Sequence, residues 1–358
     1  MSFALAELGW DARWAEAFAP YAERGLVPGR VAIEFNHIYR VYAAIGEVRA
    51  EQAGRVRHLA EGRQDLAAVG DWVAIRRSGD ERSGTIDAVL PRRSRFSRKV
   101  AGALTEEQVV AANIDAVFLV MGLDHDYNRR RLERYLLLAY ESRATPVVIL
   151  SKADLVDQVD AHVNEVAALA PGTPVHALSA RTSSGLAVVS SYLGPGRTGA
   201  LLGSSGVGKS TLINALVGSE LLETREVRAH DSRGRHTTRH RQLILLPGGG
   251  LLIDTPGMRE LQMWDVAGAV SETFDDIESL AATCHFSDCR HRDEPRCAVK
   301  VAVAEGRLAP SRLASYLKLQ DELRDFEARR DARAQIDEKR RNKIVGRSLK
   351  QLYKDRDR

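Results

Sequence analysis

The run Gly203-Ser204-Ser205-Gly206-Val207-Gly208-Lys209-Ser210 constrains the fold of this chain more than any other stretch. It has the glycine-rich pattern in which backbone N–H groups wrap phosphate oxygens. In that pattern a lysine neutralises the β- and γ-phosphates and a Ser or Thr hydroxyl reaches Mg²⁺. The geometry needs a buried strand running into a helix, because the helix's first N–H groups complete the anion site. Both flanks comply: residues 199–202 are an apolar run, and residues 209–216 carry apolar side chains at helical spacing. A chance glycine-rich turn would have neither flank. The loop therefore predicts an α/β sheet around it, with Gly203 to Ser210 and the following Thr211 at the phosphates and Ser210 on Mg²⁺.

The neighbouring pattern agrees. Apolar runs at 114–120, 146–150, 175–178, 243–246 and 251–253 read as strands, and 129–141, 159–169 and 185–193 as helices. Buried strands alternating with helices predict a doubly wound parallel sheet over residues 106–269. Residues 29–105 differ. Val31 and Ile33, then Tyr39, Val41 and Ala43, then 72–75 and 85–89 form short runs, punctuated by Gly54, Gly62, Gly70, Gly79 and Gly84. Such spacing predicts about five strands closing a small β-barrel, the OB-fold being one such barrel. Residues 1–28 read as an extended arm with one short amphipathic piece at 10–21. Residues 270–358 hold the cysteines and then a helix in which Tyr316, Leu319, Leu323 and Phe326 recur at heptad-like spacing.

Three further motifs carry chemistry. Asp254-Thr255-Pro256-Gly257 follows the run at 251–253, where the carboxylate can hold Mg²⁺ through water and the Gly257 N–H can reach the γ-phosphate. Alone, it would be an ordinary turn. Ser151-Lys152-Ala153-Asp154 follows the run at 146–150. Asp154 can accept from the ring N–H and the exocyclic amine of guanine, a donor pair that adenine lacks, with Lys152 along the base. Ser179-Ala180, after 175–178, is a second base-contact candidate. Between the phosphate loop and Asp254 lies Gly234-Arg235-His236-Thr237-Thr238. Thr237 or Thr238 there can complete the Mg²⁺ shell, although Arg233, Arg235, Arg239 and Arg241 also suit a basic surface loop.

Composition limits the setting. The 358 residues allow two or three domains, and 44% hydrophobic with 28% charged residues is ordinary for soluble protein. No apolar run approaches the ~18 residues of a membrane span, and no basic-then-apolar leader is visible, so a cytoplasmic protein with no membrane partner is expected. Net charge is only +4, yet residues 329–358 hold 12 Lys/Arg against 5 Asp/Glu. This basic tail, centred on Lys339-Arg340-Arg341, suits a polyanion, although the default for any charge run is a solvated face. Arg92, Arg93, Arg95, Arg98 and Lys99 surround Phe96, a mixture suited to phosphate contact plus base stacking in RNA. The three cysteines all lie within residues 284–297. An odd, clustered set in a reducing compartment points to a metal rather than to disulfides.

Together the motifs resemble a guanine-nucleotide domain in shuffled order, with the base motifs at 151 and 179 ahead of the phosphate loop. This circular permutation resembles the RsgA (YjeQ) family of small ribosomal subunit biogenesis GTPases. The resemblance covers nearly the whole chain, including Val69-Gly70-Asp71-Trp72-Val73, Arg95-Phe96-Ser97-Arg98-Lys99, residues 234–238 and the cysteine cluster. It implies an N-terminal OB-fold barrel, a circularly permuted α/β P-loop GTPase domain and a C-terminal zinc-binding helical domain with a basic tail. It also implies GTP/GDP with Mg²⁺, one structural Zn²⁺, rRNA contact, and turnover stimulated by the small (30S) subunit during late assembly, by a monomer. The implied zinc ligands are Cys284, Cys289, His291 and Cys297, spaced C-x₄-C-x-H-x₅-C, with His285 as the competing imidazole. The resemblance points to His236 as the residue that positions the attacking water. Two positions depart from pattern: Ser151 stands where Asn is usual, and Met258 where many GTPases place a water-orienting Gln. The rival readings are a P-loop ATPase, which Asp154 argues against, and an RNA-binding scaffold with a vestigial nucleotide site.

Overall fold

The computed structural model describes residues 2–35, 37–78, 82–99, 107–124, 126–219, 241–254 and 274–310, then 312–314, 316, 317, 320, 321 and 324. Two compact units emerge. One takes residues 1–99 with 106–273, the other residues 100–105 with 274–358.

The first unit opens with α1 (Ala12–Ala22), whose N-cap Asp11 accepts from the Trp14 N–H. Leu8, Trp14, Phe18 and Leu26 are buried in one cluster with Trp72, Leu90 and Phe96. The segment expected to be an extended arm is therefore folded into the core. Five strands follow: β1 (Val27–Phe35), β2 (Ile38–Ala43), β3 (Gly46–Gln52), β4 (Trp72–Arg77) and β5 (Ser83–Val89), with a short helix α2 (Gly54–Leu59) after β3. Their order is β1-β2-β3-β5-β4, closed by pairing of β4 back onto β1. Only β3 and β5 run parallel. This closed five-stranded connectivity is the OB-fold. Val31, Tyr39, Val41, Val48, Ala50, Val73, Ile75 and Ile86 fill its interior.

Next come β6 (Arg95–Lys99) and β7 (Glu107–Ala112), a separate antiparallel ribbon that the sequence reading did not anticipate. The α/β part comprises β8 (Ala116–Gly122), α3 (Arg129–Ser142), β9 (Thr145–Ser151), α4 (Val159–Leu169), β10 (Val175–Ala177), α5 (Leu186–Tyr192), β11 (Thr198–Leu202), α6 (Lys209–Val217), β12 (Arg241–Leu245) and β13 (Leu251–Asp254). The strand order is β10-β9-β8-β11-β13-β12. All neighbours pair in parallel except β12 and β13. The expectation of a wholly parallel sheet thus needs one correction. Only residues 246–250 join β12 to β13, too few for a crossover, so the pair closes as a hairpin. The other edge of β12 pairs with β1, Ile33 opposite Gln242 and Glu34 opposite Arg241, so barrel and α/β sheet are continuous.

Arg30 ties β1 to the N-terminal segment, to the turn before β4 and to the segment that leads into β8. It is buried, and its guanidinium donates to the carbonyls of Gly70 (3.2 Å), Asn113 (3.0 Å) and Leu8. Gly70 sits at φ 90°, and a Cβ there would lie 2.1 Å from the Ala112 carbonyl oxygen, so only glycine lets the backbones meet.

The second unit contains α7 (Asp275–Ala281) and α8 (Ala298–Ala304). Phe274, Ile277, Cys297, Val299, Ala302 and Tyr316 are buried there. Asp275, Asp276 and Glu278 in the first turn of α7 complement its N-terminal partial charge. Of the expected heptad residues, Tyr316 is described, while Leu319, Leu323 and Phe326 lie outside the described residues. Among the described residues no helix is long and apolar enough to cross a membrane.

Candidate nucleotide site and metal centre

The phosphate loop leaves β11, which is buried along its whole length and flanked in parallel by β8 and β13. A Cβ on Gly203 would lie 2.5 Å from the Val120 carbonyl oxygen, and Gly206 and Gly208 occupy the left-handed region at φ 81° and 94°. The glycines are thus required by the tight path of the loop. At Gly208, the N-cap of α6, no side chain caps the first turn, so its N–H groups remain available to an anion. Lys209 Nζ donates to the carbonyls of Gly203 (2.7 Å) and Ser204, spanning the loop that its charge would help to load.

The base motif meets this loop directly. Ser151 ends β9, and its Oγ donates to the Val207 carbonyl at 2.6 Å and lies 3.2 Å from that of Met121. Asp154 is three residues on, so its Cα lies no more than about 11 Å from that of Ser151. The segments read in shuffled order thus converge. Lys152 takes a left-handed conformation, φ 60°, and starts the short 3₁₀ turn Ala153–Leu155 that presents Asp154. The Asp154 carboxylate accepts from Arg181 Nε at 3.0 Å. The Ser179 hydroxyl, with Arg181, holds its carboxyl below the ordinary value, so it is an ionised acceptor. Ser179 is buried, and the Ala153 N–H donates to the Leu178 carbonyl at 3.1 Å, joining the two base motifs. Ala180 packs against the core that contains Val207.

Asp254 ends β13 beside β11. Burial pushes its carboxyl up from 3.8 to about 6, with Lys209 opposing. A carboxyl held in that state gains from a cation. Gly234, His236, Thr237, Thr238, Gly257, Met258, Lys339, Arg340 and Arg341 lie outside the described residues.

Two residues in contact with these motifs escaped the sequence reading. Beyond β8, Asp124 pairs with Lys152, and Asp126 Oδ1 accepts from Ser204 Oγ at 2.6 Å. Burial works against the Asp124 charge, but Lys152 and the Asp126 N–H more than offset it, leaving its carboxyl below the ordinary range. The available signal was positional: acidic residues just past the carboxyl end of a strand in a parallel sheet, where sites gather.

The basic cluster near the barrel exit needs correcting. Phe96 is 2% exposed and packed into the core, so it offers no face for a stacked base. Arg92 is largely buried and donates to both Asp71 oxygens (2.8 and 2.7 Å) and to the Leu66 carbonyl, a structural fork already neutralised. Arg93 grips Asp11 through two bonds of 2.7 and 2.6 Å and lies 4.3 Å over Trp14. Its hydrogen bond is the main reason the Asp11 carboxyl falls to about 2. Arg95 lies 3.6 Å from Glu107. The side chains of Arg98 and Lys99 lie outside the described residues.

In the second unit Cys284, Cys289, His291 and Cys297 bring four ligand atoms within 4.8 Å of one another. Cys284 Sγ is 3.9 Å from Cys297 Sγ and 3.6 Å from His291 Nδ1, which is 3.3 Å from Cys297 Sγ. Tetrahedral zinc with Zn–S of about 2.3 Å and Zn–N of about 2.0–2.1 Å gives edges of about 3.8 and 3.6 Å. The residues therefore fit that ion, and all three cysteines are free of disulfides. His291 is the imidazole of the group, and His285 instead sets its ring edge-on to Phe286. Burial holds His291 below its ordinary pKa, against Glu294 and Glu278, which favours the neutral ring a metal needs. Tyr316 packs beside it, ring centroids 6.1 Å apart, and donates to Glu278 at 2.8 Å.

The model of the RsgA GTPase family matches residues 89–264. A small ribosomal subunit biogenesis GTPase RsgA from Opitutus terrae is 49% identical over 327 residues, 89% of each chain. One of the same name from Syntrophotalea carbinolica is 42% identical over 360 residues, 98% of each chain. Among solved structures, YjeQ from Thermotoga maritima aligns at TM-score 0.62 and 29% identity, over 83% of this chain and 98% of that one. YloQ, a circularly permuted GTPase, aligns at TM-score 0.60 and 22% identity, over 84% of this chain and 96% of that one, and shows the shared fold. With identities of 42–49% along nearly its full length, this chain belongs to the RsgA GTPase family.

Proposed function

We propose that this GTPase hydrolyses GTP to GDP and phosphate while bound to the small (30S) ribosomal subunit, acts in the subunit's late assembly, and is stimulated by it. Relatives named for small ribosomal subunit biogenesis support the setting. The observation that carries the chemistry is the bond from Ser151 to the phosphate-loop carbonyl of Val207, which joins base reading to phosphate binding. Gly203 to Thr211 would cradle the phosphates, with Lys209 leaving its loop carbonyls for the β- and γ-phosphates. Asp154 would read guanine, with Lys152, Ala153, Ser179 and Ala180 around the base. Ser210, Asp254 and Thr237 or Thr238 would hold Mg²⁺, whose charge offsets that developing on the transferred phosphate. Gly257 would reach the γ-phosphate and His236 would position water. Because Met258 cannot orient water, basal turnover should be slow. Cys284, Cys289, His291 and Cys297 would hold a structural Zn²⁺. Arg93, Arg95, Arg98, Lys99 and the tail around Lys339, Arg340 and Arg341 would meet rRNA, in a cytoplasmic monomer.

The test is GTP turnover with and without purified small subunits, alongside competition by ATP. Stimulation by subunits, GTP strongly preferred, and a shift toward xanthosine nucleotides in Asp154→Asn are expected. Turnover indifferent to subunits would refute the ribosomal reading, and ATP competing equally would refute the base assignment.

A further inference from the structure

We infer that Asp126 is a positioning residue of the nucleotide site, holding the entry arm of the phosphate loop through Ser204; this rests on the reading of that loop as a nucleotide site. Asp126 and Ser204 are 78 residues apart in sequence, yet Ser204 Oγ donates to Asp126 Oδ1 at 2.6 Å. That length is typical of a strong hydroxyl–carboxylate bond. The Ser204 carbonyl in turn accepts from Lys209 Nζ. Any slip of Ser204 therefore moves the cradle of the lysine that would face the phosphates.

The pairing of Asp126 with Arg131 is one-pronged, and Arg131 Nη2 also donates to the Asp126 carbonyl. Arg131 reaches the same Oδ1 at 2.9 Å. Among the described residues, Asp126 Oδ2 and Arg131 Nε are both buried without a hydrogen-bond partner. A carboxylate serving Arg131 alone would turn into the two-pronged pairing and satisfy both atoms. The bond to Ser204 occupies Oδ1 instead, which fits a carboxylate shared between Arg131 and the loop. Arg131 still supplies a compensating positive charge, so a carboxylate beside an anion site does not simply repel the ligand.

The same loop also reaches the base side. The Asp126 N–H donates to Asp124 Oδ1 at 3.1 Å, and Asp124 pairs with Lys152. The segment after β8 thus grips both the phosphate loop and the guanine-reading segment. The described contacts of Asp126 are to Ser204, Arg131 and Asp124, so it would act through the loop, and its loss should weaken binding and leave the chemical step alone.

The experiment measures mant-GDP affinity and steady-state GTP hydrolysis for wild type, Asp126→Ala, Asp126→Asn, Ser204→Ala and the Asp126→Ala/Ser204→Ala double variant. Asp126→Ala is expected to weaken mant-GDP binding about tenfold, as loss of a hydrogen bond to a charged group does, with KM raised and kcat retained. Asp126→Asn keeps an acceptor and should restore most of the affinity. Ser204→Ala should match Asp126→Ala, and the double variant should be no weaker than the worse single one, because both delete one bond. Affinity of Asp126→Ala within twofold of wild type would overturn the inference, as would fully additive losses in the double variant. If wild type binds mant-GDP normally, either result leaves the GTPase reading standing. If wild type itself fails to bind, both fall together.

Discussion

Replacing Asp254 with Asn tests whether its buried carboxyl is poised to receive a cation. Burial raises the Asp254 carboxyl from 3.8 to about 6. That shift of roughly two units, at about 1.36 kcal/mol each, makes the ionised residue cost on the order of 3 kcal/mol. The folded state holds the proton more tightly than the unfolded chain does. Stability should therefore fall as pH rises from about 4 to about 6, and the cost persists above that. Asn has the shape of the protonated acid and, like it, carries no charge. In chelator, without nucleotide, Asp254→Asn should unfold like wild type near pH 4 and be more stable by up to about 3 kcal/mol at pH 8. Urea denaturation followed by tryptophan emission reports on the right unit, since Trp10, Trp14 and Trp72 share it with Asp254. The same variant should lose Mg²⁺-dependent nucleotide binding, and wild type should bind Mg²⁺–GTP more weakly as pH drops below about 6. An Asn variant no more stable than wild type at pH 8, or a difference independent of pH, would refute the reasoning.

Arg30→Met should cost about 3–5 kcal/mol in urea denaturation, because the buried carbonyls of Leu8, Gly70 and Asn113 lose their donor; a loss below about 1 kcal/mol would show that the site repacks. Ser151→Ala removes the bond to Val207 and should weaken mant-GDP binding about fivefold, the worth of a net hydrogen bond near 1 kcal/mol; unchanged affinity would mean that the contact does not position the loop. Metal analysis should find one zinc per chain, and Cys297→Ser should abolish it and open residues 274–310 to protease while mant-GDP binding persists. Stoichiometric zinc retained in that variant would contradict the ligand assignment.

The α/β part was legible because its signals are local. Fully buried parallel strands read as unbroken apolar runs, and the phosphate loop is one continuous motif between a strand and a helix. Partnership was harder to read. Arg92 and Phe96 sit in a basic stretch that suggests a nucleic-acid surface, yet one is bound to Asp71 and the other fills the core. Nothing in residues 92–99 distinguishes these outcomes, since Asp71 is 21 positions away and the packing partners lie on other elements. Leu8, Trp14 and Phe18 show an apolar stripe without naming what covers it. By contrast, two features were present in the sequence and went unread. Gly46, Val48, Ala50 and Gln52 alternate strictly with charged residues along β3. The connection at 246–250 is too short for anything but a hairpin.

The permuted motif order leaves the site intact for a geometric reason. In a parallel sheet every strand ends on the same edge, so loops leaving the carboxyl ends meet there in whatever order the chain visits them. Asp124 follows β8, Ser151 ends β9, Gly203 follows β11 and Asp254 ends β13, four neighbouring parallel strands. The exception supports the rule. Because β12 runs antiparallel, the turn after it falls at the opposite edge, where the Gly196 N–H, just ahead of β11, donates to the Gly249 carbonyl at 3.0 Å. That turn is glycine-rich and lies beside the strand that feeds the phosphate loop, yet strand direction alone removes it from the nucleotide site. What the chain must preserve is therefore the direction and adjacency of β8, β9, β11 and β13, and the order in which it meets them is free to change.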